Sequence, residues 1–430
     1  MSNDGRITLM TLGDMPLVSS GVGIQTKYVM EGLLKTGKYK IVSLGSALAH
    51  PAGTDINRPI GVEPWKEDWL IWPVTGGFVD KMRMRMIMDM FKPDMTWLIS
   101  DPRFFGALFD SIIAEILPRM PVAWWHIWDN FPPPKFNHDF YRSTTFLGCI
   151  SKLTHTCVKE LGFGDRSAYI PHAVPADIFK PLPDAEVQAY KEQILGKQNK
   201  DKFVIFWNNR NARRKNPSDV IYATKEFSKI HDDILLVMHC SPFDQEGPNL
   251  IEVMKEFGAE KIVFFSQDKL PTDKMNILYN LADVTTNIAT SEGFGLSSLE
   301  SRNAGTCVIN NKTGGLQDQV DQETMAEEDR WGLLLDPVSK SFVGSQQISY
   351  ILEDRVSHQQ VIDALEYFYK LTREERRRRG LIAREWTLKN QNFDKMISGW
   401  DYWIQKVIKE YDQNLPPWNH WKNWRVTRDL

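Results

Sequence analysis

Residues 290–318 read TSEGFGLSSLESRNAGTCVINNKTGGLQD. The segment before them, ADVTTNIA, is apolar-leaning and reads as a buried strand. An acid and two glycines around an aromatic follow (Glu292-Gly293-Phe294-Gly295), then a helix-compatible run with a second acid at Glu300 and a stop at Gly305. Thr306 to Ile309 forms another apolar segment ahead of the Gly314-Gly315 pair. Strand, tight glycine turn, helix, strand is the layout of an α/β nucleotide site. Glycine at the strand-to-helix junction allows positive φ and lets an anion come close to the amides. The unpaired N–H groups of the first helical turn then favour phosphate. Glu292 would sit in the loop and Glu300 inside the helix, and an ionised carboxylate can accept from two vicinal hydroxyls at once. A sugar nucleotide supplies both phosphates and diols.

A lone Gly-x-Gly with a nearby acid is better explained by an ordinary solvent-facing helix start, but the whole stretch is more specific. It resembles the donor-site signature of the retaining GT-B glycosyltransferases of family 4, in which two glutamates frame seven residues. Here those are Glu292 and Glu300, with Gly293-Phe294-Gly295-Leu296 between them, and Ala304-Gly305-Thr306 and Gly314-Gly315-Leu316 also match. Cys307 departs from the pattern, where proline is usual; that bears on the turn rather than the chemistry.

Phe203 to Trp207 (FVIFW) begins a second set of strands and is followed at once by NNRNARRKNP, residues 208–217. Four cations between a strand and a helix attract anions and offer guanidinium forks matched to phosphate oxygens. Such a run is often only a solvated face, but this one ends the first strand of the second domain. The resemblance implies that Arg210 and Lys215 grip the donor diphosphate; Arg213 and Arg214 have no counterpart in the family and read as surface or acceptor contacts.

The N-terminal half gives weaker signals. Arg6 to Leu12 reads as a first strand and residues 24–34 as an amphipathic helix, with Gly21 and Gly23 in the loop between, where such a unit meets its ligand. The resemblance assigns that loop to the donor phosphates and acceptor, with Gly21 the best match. Further strands are expected at 39–44, 94–99, 121–127 and 146–151, with irregular loops over 50–75 and a helix with a broad Met face over 78–91. A Met face is usually core, with a membrane-surface or lipid role the other reading. His126 closes the strand PVAWWHI, where it either points into a ligand crevice or packs among tryptophans; the resemblance implies contact with the transferred sugar or acceptor, with Trp128 and Asp129 on the acceptor side. The segment AYIPHAVPADIFKP, 168–181, resembles the family's interdomain crossing, with Ala173 and Pro175 departing from its usual glycine and aspartate.

The C-terminal part is expected to be helical over 345–354 and 359–369, with Arg373 to Arg379 an exposed, ion-paired helix face. The last helix, about 392–411, carries Ile397, Trp400, Ile404 and Ile408 at helical spacing. After it, Trp418, Trp421 and Trp424 stand three apart.

Composition sets bounds on all this. A chain of 430 residues with 42% hydrophobic content can bury two cores. A net charge of -3 argues against a dedicated nucleic-acid binder. Four scattered cysteines with no ligand-like spacing fit a reducing compartment rather than a disulfide frame or a zinc site. No leader and no long apolar run is visible in the sequence, so a soluble, cytoplasmic protein without a transmembrane segment is expected, peripheral membrane contact remaining open.

The resemblance covers most of the chain, weakly in 1–120 and strongly in 200–320. It implies an α/β protein of GT-B fold: two Rossmann-like domains facing each other across a deep cleft, 1–175 for the acceptor (completed by about 400–430) and 176–399 for the donor, with the C-terminal helix crossing back to the first. It implies metal-independent transfer of a hexose, with retention, from a nucleotide-diphosphate sugar (UDP- or GDP-linked) to a glycan, lipid-linked or small-molecule acceptor. No cofactor beyond that co-substrate and no metal is expected. Arg210, Lys215, Glu292 and His126 would be catalytic, and Gly21, Gly293, Phe294, Gly295, Leu296 and Glu300 would bind the donor. Three alternatives stay open: a sugar-nucleotide epimerase, a non-catalytic sugar-nucleotide or glycan-binding module, and a retaining transferase acting on DNA bases, with Arg213, Arg214 and the Arg376 to Arg379 run on phosphates.

Overall fold

The computed structural model describes residues 4–18, 20–47, 50–267 and 270–414. The chain forms two compact units. The first takes the residues up to His172, the segment Gly344–Tyr350 and the chain from Asp394; the second takes Ala173–Val343 and Ile351–Phe393.

In the first unit the apolar runs become β1 (Ile7–Asp14), β2 (Tyr39–Ser46), β3 (Ile60–Val62), β4 (Lys66–Val74), β5 (Met95–Ser100), β6 (Val122–His126), β7 (Phe146–Cys149) and β8 (Ser167–Tyr169). Their spatial order is β3-β4-β2-β1-β5-β6-β7-β8. All neighbours pair in parallel except β3 and β4. The core of this sheet, running 4-2-1-5-6-7, has the doubly wound Rossmann order, whose direction reverses between β1 and β5. Residues 50–75, expected to be irregular, contain β3 and β4; the charged start of β4 (KED) masks the buried Trp69, Ile71 and Val74 that carry it. Helix α1 (Gly21–Lys35) starts earlier than expected because Ser20 caps it, its Oγ accepting from the Gly23 N–H at 2.9 Å. Helix α2 (Lys81–Phe91) packs Met84, Ile87 and Met88 into the core and leaves Met82 and Met90 exposed. The short α3 (Ile113–Ile116) and α4 (His138–Arg142) and then α5 (Lys152–Glu160) complete this part.

The second unit follows the same logic with cleaner spacing. Helix α6 (Asp184–Leu195) leads to β9 (Phe203–Asn208), α7 (Pro217–Phe227), β10 (Ile234–His239), α8 (Leu250–Glu256), β11 (Val263–Ser266), α9 (Thr272–Leu281), β12 (Val284–Asn287), α10 (Leu296–Asn303), β13 (Cys307–Asn311) and β14 (Gly332–Leu335). The sheet is wholly parallel in the order β11-β10-β9-β12-β13-β14. That is the 3-2-1-4-5-6 Rossmann order, so the ligand crevice is expected beyond the carboxyl ends of β9 and β12. Residues 345–354 are not helical as the sequence suggested. A two-stranded antiparallel ribbon, β15 (Ser339–Val343) and β16 (Ile351–Arg355), occupies this region, and the intervening Gly344–Tyr350 groups with the first unit. Helices α11 (His358–Tyr369), α12 (Arg373–Asn390) and α13 (Phe393–Asn414) end the described chain.

Helix α13 packs within the first unit through Ile397, Trp400, Ile404, Val407 and Tyr411, with Ile408 only half-buried. Trp400 is sealed beneath Trp97 and Trp125, with ring centroids 4.3 and 5.4 Å away. Gly148 makes room for it: a Cβ there would lie 2.3 Å from the Trp400 ring. Gly32 does the same for Ile397. The tryptophans at 418, 421 and 424 lie outside the described residues. No helix among the described residues is long and apolar enough to cross a membrane.

Candidate active site

The loops after β9 and β12, the two strands at the switch point of the second sheet, are stitched together residue by residue. Asn216, in the left-handed conformation at φ 51°, donates from Nδ2 to the Ile288 carbonyl at 2.9 Å. The Thr290 N–H donates to the Arg214 carbonyl at 2.8 Å, and Arg214 Nη1 donates to the Ser291 carbonyl at 2.7 Å. One residue further along each loop, the Lys215 ammonium pairs with the Glu292 carboxylate. Lys215 is only 7% exposed. Burial pushes the Glu292 carboxyl up, but the charges of Lys215 and Arg214 outweigh it and hold the group below its ordinary value. The cation loop and the acid loop therefore meet at this ion pair.

Glu292 leads into a turn that only glycine permits. Gly295 caps α10 at φ 94°, and a Cβ on it would meet Leu316 at 2.4 Å. Gly315 lies so close to Gly293 that a Cβ would fall 2.2 Å from the Gly293 carbonyl oxygen, and its N–H donates to the Glu292 carbonyl at 2.8 Å. Phe294 is buried and fixes the turn from inside, while Leu296 opens the helix half-exposed. The Ser298 N–H turns back to the Gly295 carbonyl at 3.1 Å, and the amides ahead of it open the helix at the end that follows the Glu292 turn.

Glu300 follows on α10. Its Oε2 accepts from the Tyr279 hydroxyl at 2.6 Å, and that hydroxyl in turn accepts from Asn208 Nδ2 at 2.7 Å. Burial pushes the Glu300 carboxyl up to about 7, the Tyr279 hydrogen bond opposing it. Tyr279 and Asn208 were not singled out from the sequence. A Tyr inside an apolar helix and an Asn closing an apolar strand carry no signal until the fold brings them to one acid.

Arg210 departs from expectation. Its side chain is 59% exposed and forms a two-pronged pair with Asp244, both contacts at 2.8 Å, rather than turning to Glu292. Asp244 is prearranged for this, because its Oδ1 also accepts from the Glu246 N–H at 2.9 Å. Arg214, assigned only to surface or acceptor contacts, is the guanidinium that joins Lys215 in acting on Glu292. Arg213 pairs instead with the buried Glu353 at 2.8 Å.

In the first unit, Gly21 stands exposed at the start of α1, directly beyond the carboxyl end of β1 and so at that sheet's switch point. His126 does not point into open space. It is 0% exposed, its Nε2 lies 2.8 Å from the Tyr141 hydroxyl, and burial lowers its pKa to about 3. The neutral ring has no solvent access in this arrangement and packs between Trp124 and Tyr141. Trp128, expected on the acceptor side, is 1% exposed with its ring against Phe136. Asp129 is half-buried in the loop after β6.

Both units are Rossmann-like α/β layers, and the two together have the GT-B fold. Residues 188–378, which contain every site residue of the second unit, match the family described as glycosyl transferases group 1. Among curated proteins, D-inositol 3-phosphate glycosyltransferase of Corynebacterium jeikeium (strain K411) is 29% identical over 157 residues. That match covers 35% of this chain and only 37% of the relative's length. Among solved structures, HepE of Anabaena in complex with UDP-glucose superposes with a TM-score of 0.69 at 13% identity, covering 94% of this chain and 100% of that one. Sucrose-phosphate synthase from Thermosynechococcus elongatus gives 0.66 at 14% identity, covering 95% and 99%.

Proposed function

We propose that this chain is a retaining, metal-independent glycosyltransferase that moves a hexose from a nucleotide-diphosphate sugar to an acceptor hydroxyl. The observation that carries this reading is the buried Lys215–Glu292 pair at the switch point of the second sheet, beside a glycine turn and a second acid at Glu300. A similar fold in HepE was determined with UDP and with UDP-glucose, which supports a UDP-sugar donor.

In this proposal the diphosphate lies against Lys215 and the amides from Gly293 to Leu296, which stabilise the charge it gains in the transition state. Arg210 exchanges Asp244 for a phosphate oxygen and adds a second cation. Glu292 accepts from the hexose hydroxyls and Glu300 from the ribose diol. The bond from the anomeric carbon to the diphosphate oxygen breaks while the acceptor oxygen bonds to that carbon on the same face. The acceptor proton passes to the departing phosphate oxygen, so no side chain has to act as a nucleophile. The DNA-base reading is weakened by the Arg376 to Arg379 run, each member of which pairs with an acid of the second unit.

Thermal unfolding with UDP, GDP, ADP and their sugars tests the donor assignment, because a ligand of the native state raises Tm in proportion to RT ln(1 + [L]/Kd). A clear rise with UDP-linked ligands is expected, and no rise with any of the set would overturn it. Glu300 adds a pH signature. Its folded-state value near 7 lies above the ordinary 4.5, so the native state holds an extra proton between the two. Stability from this group is full below about 4.5 and is lost as pH rises through about 7. Nucleotide affinity should change the other way, since only the ionised acid accepts from both ribose hydroxyls. Between pH 6 and 8 nucleotide binding tightens more steeply in the native protein than in Glu300→Gln, where titration of the ligand's own phosphate is all that remains. Identical slopes would remove Glu300 from the ribose site.

A further inference from the structure

The donor site uses the carboxyl ends of the second sheet, and a separate cationic group occupies the opposite ends. Asp283 immediately precedes β12 and Thr306 immediately precedes β13. Around them the run from Arg373 to Arg377, expected to be a solvated helix face, turns inward. Arg376 donates from Nε to Asp283 Oδ1 at 2.9 Å and lies over the Phe203 ring at 5.0 Å. Arg377 pairs with Asp184 at 2.7 Å, at the exposed rim. Arg373 reaches α6, where it meets the Gln188 carboxamide. Lys191, 3% exposed, approaches Asp283 Oδ2 only at 3.5 Å.

These four cations, Asp283 and Thr306 line one partly open cavity of ≈ 40 Å³. A single water needs only about 10–15 Å³ of such space, so the cavity has room for a larger polar guest. Four cations face two carboxylates: Asp283, the one in the lining, is shared by Lys191 and Arg376 and its Oδ2 already accepts from the Val204 N–H at 2.8 Å, and Asp184 at the rim offsets Arg377 alone. Burial lowers the pKa of Lys191; Asp283 opposes that and Arg373 and Arg376 reinforce it, as expected where negative charge is in short supply. The Arg373 guanidinium and the Lys191 ammonium are donors suited to a tetrahedral oxyanion, with Arg377, held by Asp184 and the Leu182 carbonyl, adding positive charge at the rim.

We propose that this cavity binds a phosphate dianion, either inorganic phosphate or the phosphomonoester end of a small metabolite, at a site separate from the donor site. The four residues of β12 separate it from the Glu292 loop by ~13 Å of strand. The lining also touches the donor side, because Thr306 Oγ1 donates to the carbonyl of Tyr279, whose hydroxyl holds Glu300. Occupancy at one end thus bears on the residue that positions the ribose acid at the other.

Thermal unfolding of the full chain in phosphate, methyl phosphate and glucose 6-phosphate, against chloride at matched ionic strength, tests this. A saturable rise in Tm is expected with phosphate, and whichever arm saturates at lowest concentration identifies the source. Arg373→Ala and Arg377→Ala should each weaken the apparent affinity about tenfold or more, the scale of one charge-assisted hydrogen bond. Gln188→Glu keeps every cation and should weaken it comparably by placing a competing carboxylate on Arg373. Lys215→Ala should leave the response intact, which separates this cavity from the donor diphosphate site. The proposal fails if phosphate acts no differently from chloride, if the rise survives the Arg373, Arg377 and Gln188 variants, or if Lys215→Ala abolishes it.

Discussion

Lys215→Ala is expected to lower kcat/KM for UDP-sugar turnover by roughly 10²–10³-fold, the loss typical of one preorganised charge contact in a transition state. Two consequences of the geometry combine. The developing diphosphate charge loses its nearest buried cation, and Glu292 loses the ion pair that keeps it ionised despite burial. Without the charge and hydrogen bond of Lys215, burial pushes the Glu292 carboxyl up from its present depressed value, and any proton it takes up makes it a poorer acceptor for sugar hydroxyls. Lys215→Arg should recover less than full activity, because the wider guanidinium does not fit the enclosed position of a 7%-exposed side chain. Turnover is read as UDP release under steady-state conditions, and an unchanged kcat/KM in the alanine variant would dismiss the site as drawn. Arg210→Ala should cost much less at the outset, since its guanidinium must first leave Asp244.

The largest effect on stability is expected from Trp400→Ala. The ring is wholly buried against Trp97, Trp125 and Phe146, and its removal leaves a cavity that β7 cannot fill, because Gly148 has no side chain to offer. Loss of about 3–5 kcal/mol follows from large-to-small truncation of a buried aromatic. For a unit of this size that corresponds to a fall of about 10 °C in its Tm. Tyr402→Ala, two residues away on the exposed face, should change stability by no more than about 0.5 kcal/mol. Scanning calorimetry of the three proteins decides the matter, and equal melting temperatures would contradict the packing.

Much of the molecule was legible in the sequence because strand ends and glycine turns are local signals. Lys215 and Glu292 could be paired on paper: each follows a strand by a short loop, and a doubly wound sheet brings the loops after its first and fourth strands together. Which guanidinium of Arg210, Arg213 and Arg214 joins Lys215 there could not be read. That depends on a tight 3-10 turn and on Asn216 at φ 51°, which rotate Arg214 inward and leave Arg210 outside. The surroundings of His126 were hidden for a related reason. Its strand, VAWWH, is apolar on both faces, so nothing in the pattern says which face each residue takes; Trp124 and His126 turned out to share a packed face with Tyr141. The ribbon of β15 and β16 was misread because SKSFV and ILEDR are too polar and too short to register as strands until they pair.

The arrangement around Gly148 and Trp400 also sets an order for biosynthesis. The first sheet is translated almost entirely before residue 172, yet the indole that seals its core arrives more than two hundred residues later, after the whole second unit has left the ribosome. Until then the Trp97 and Trp125 face stays uncovered, and a nascent chain stalled or cleaved within α12 would present that surface to chaperones and proteases rather than a finished half-enzyme.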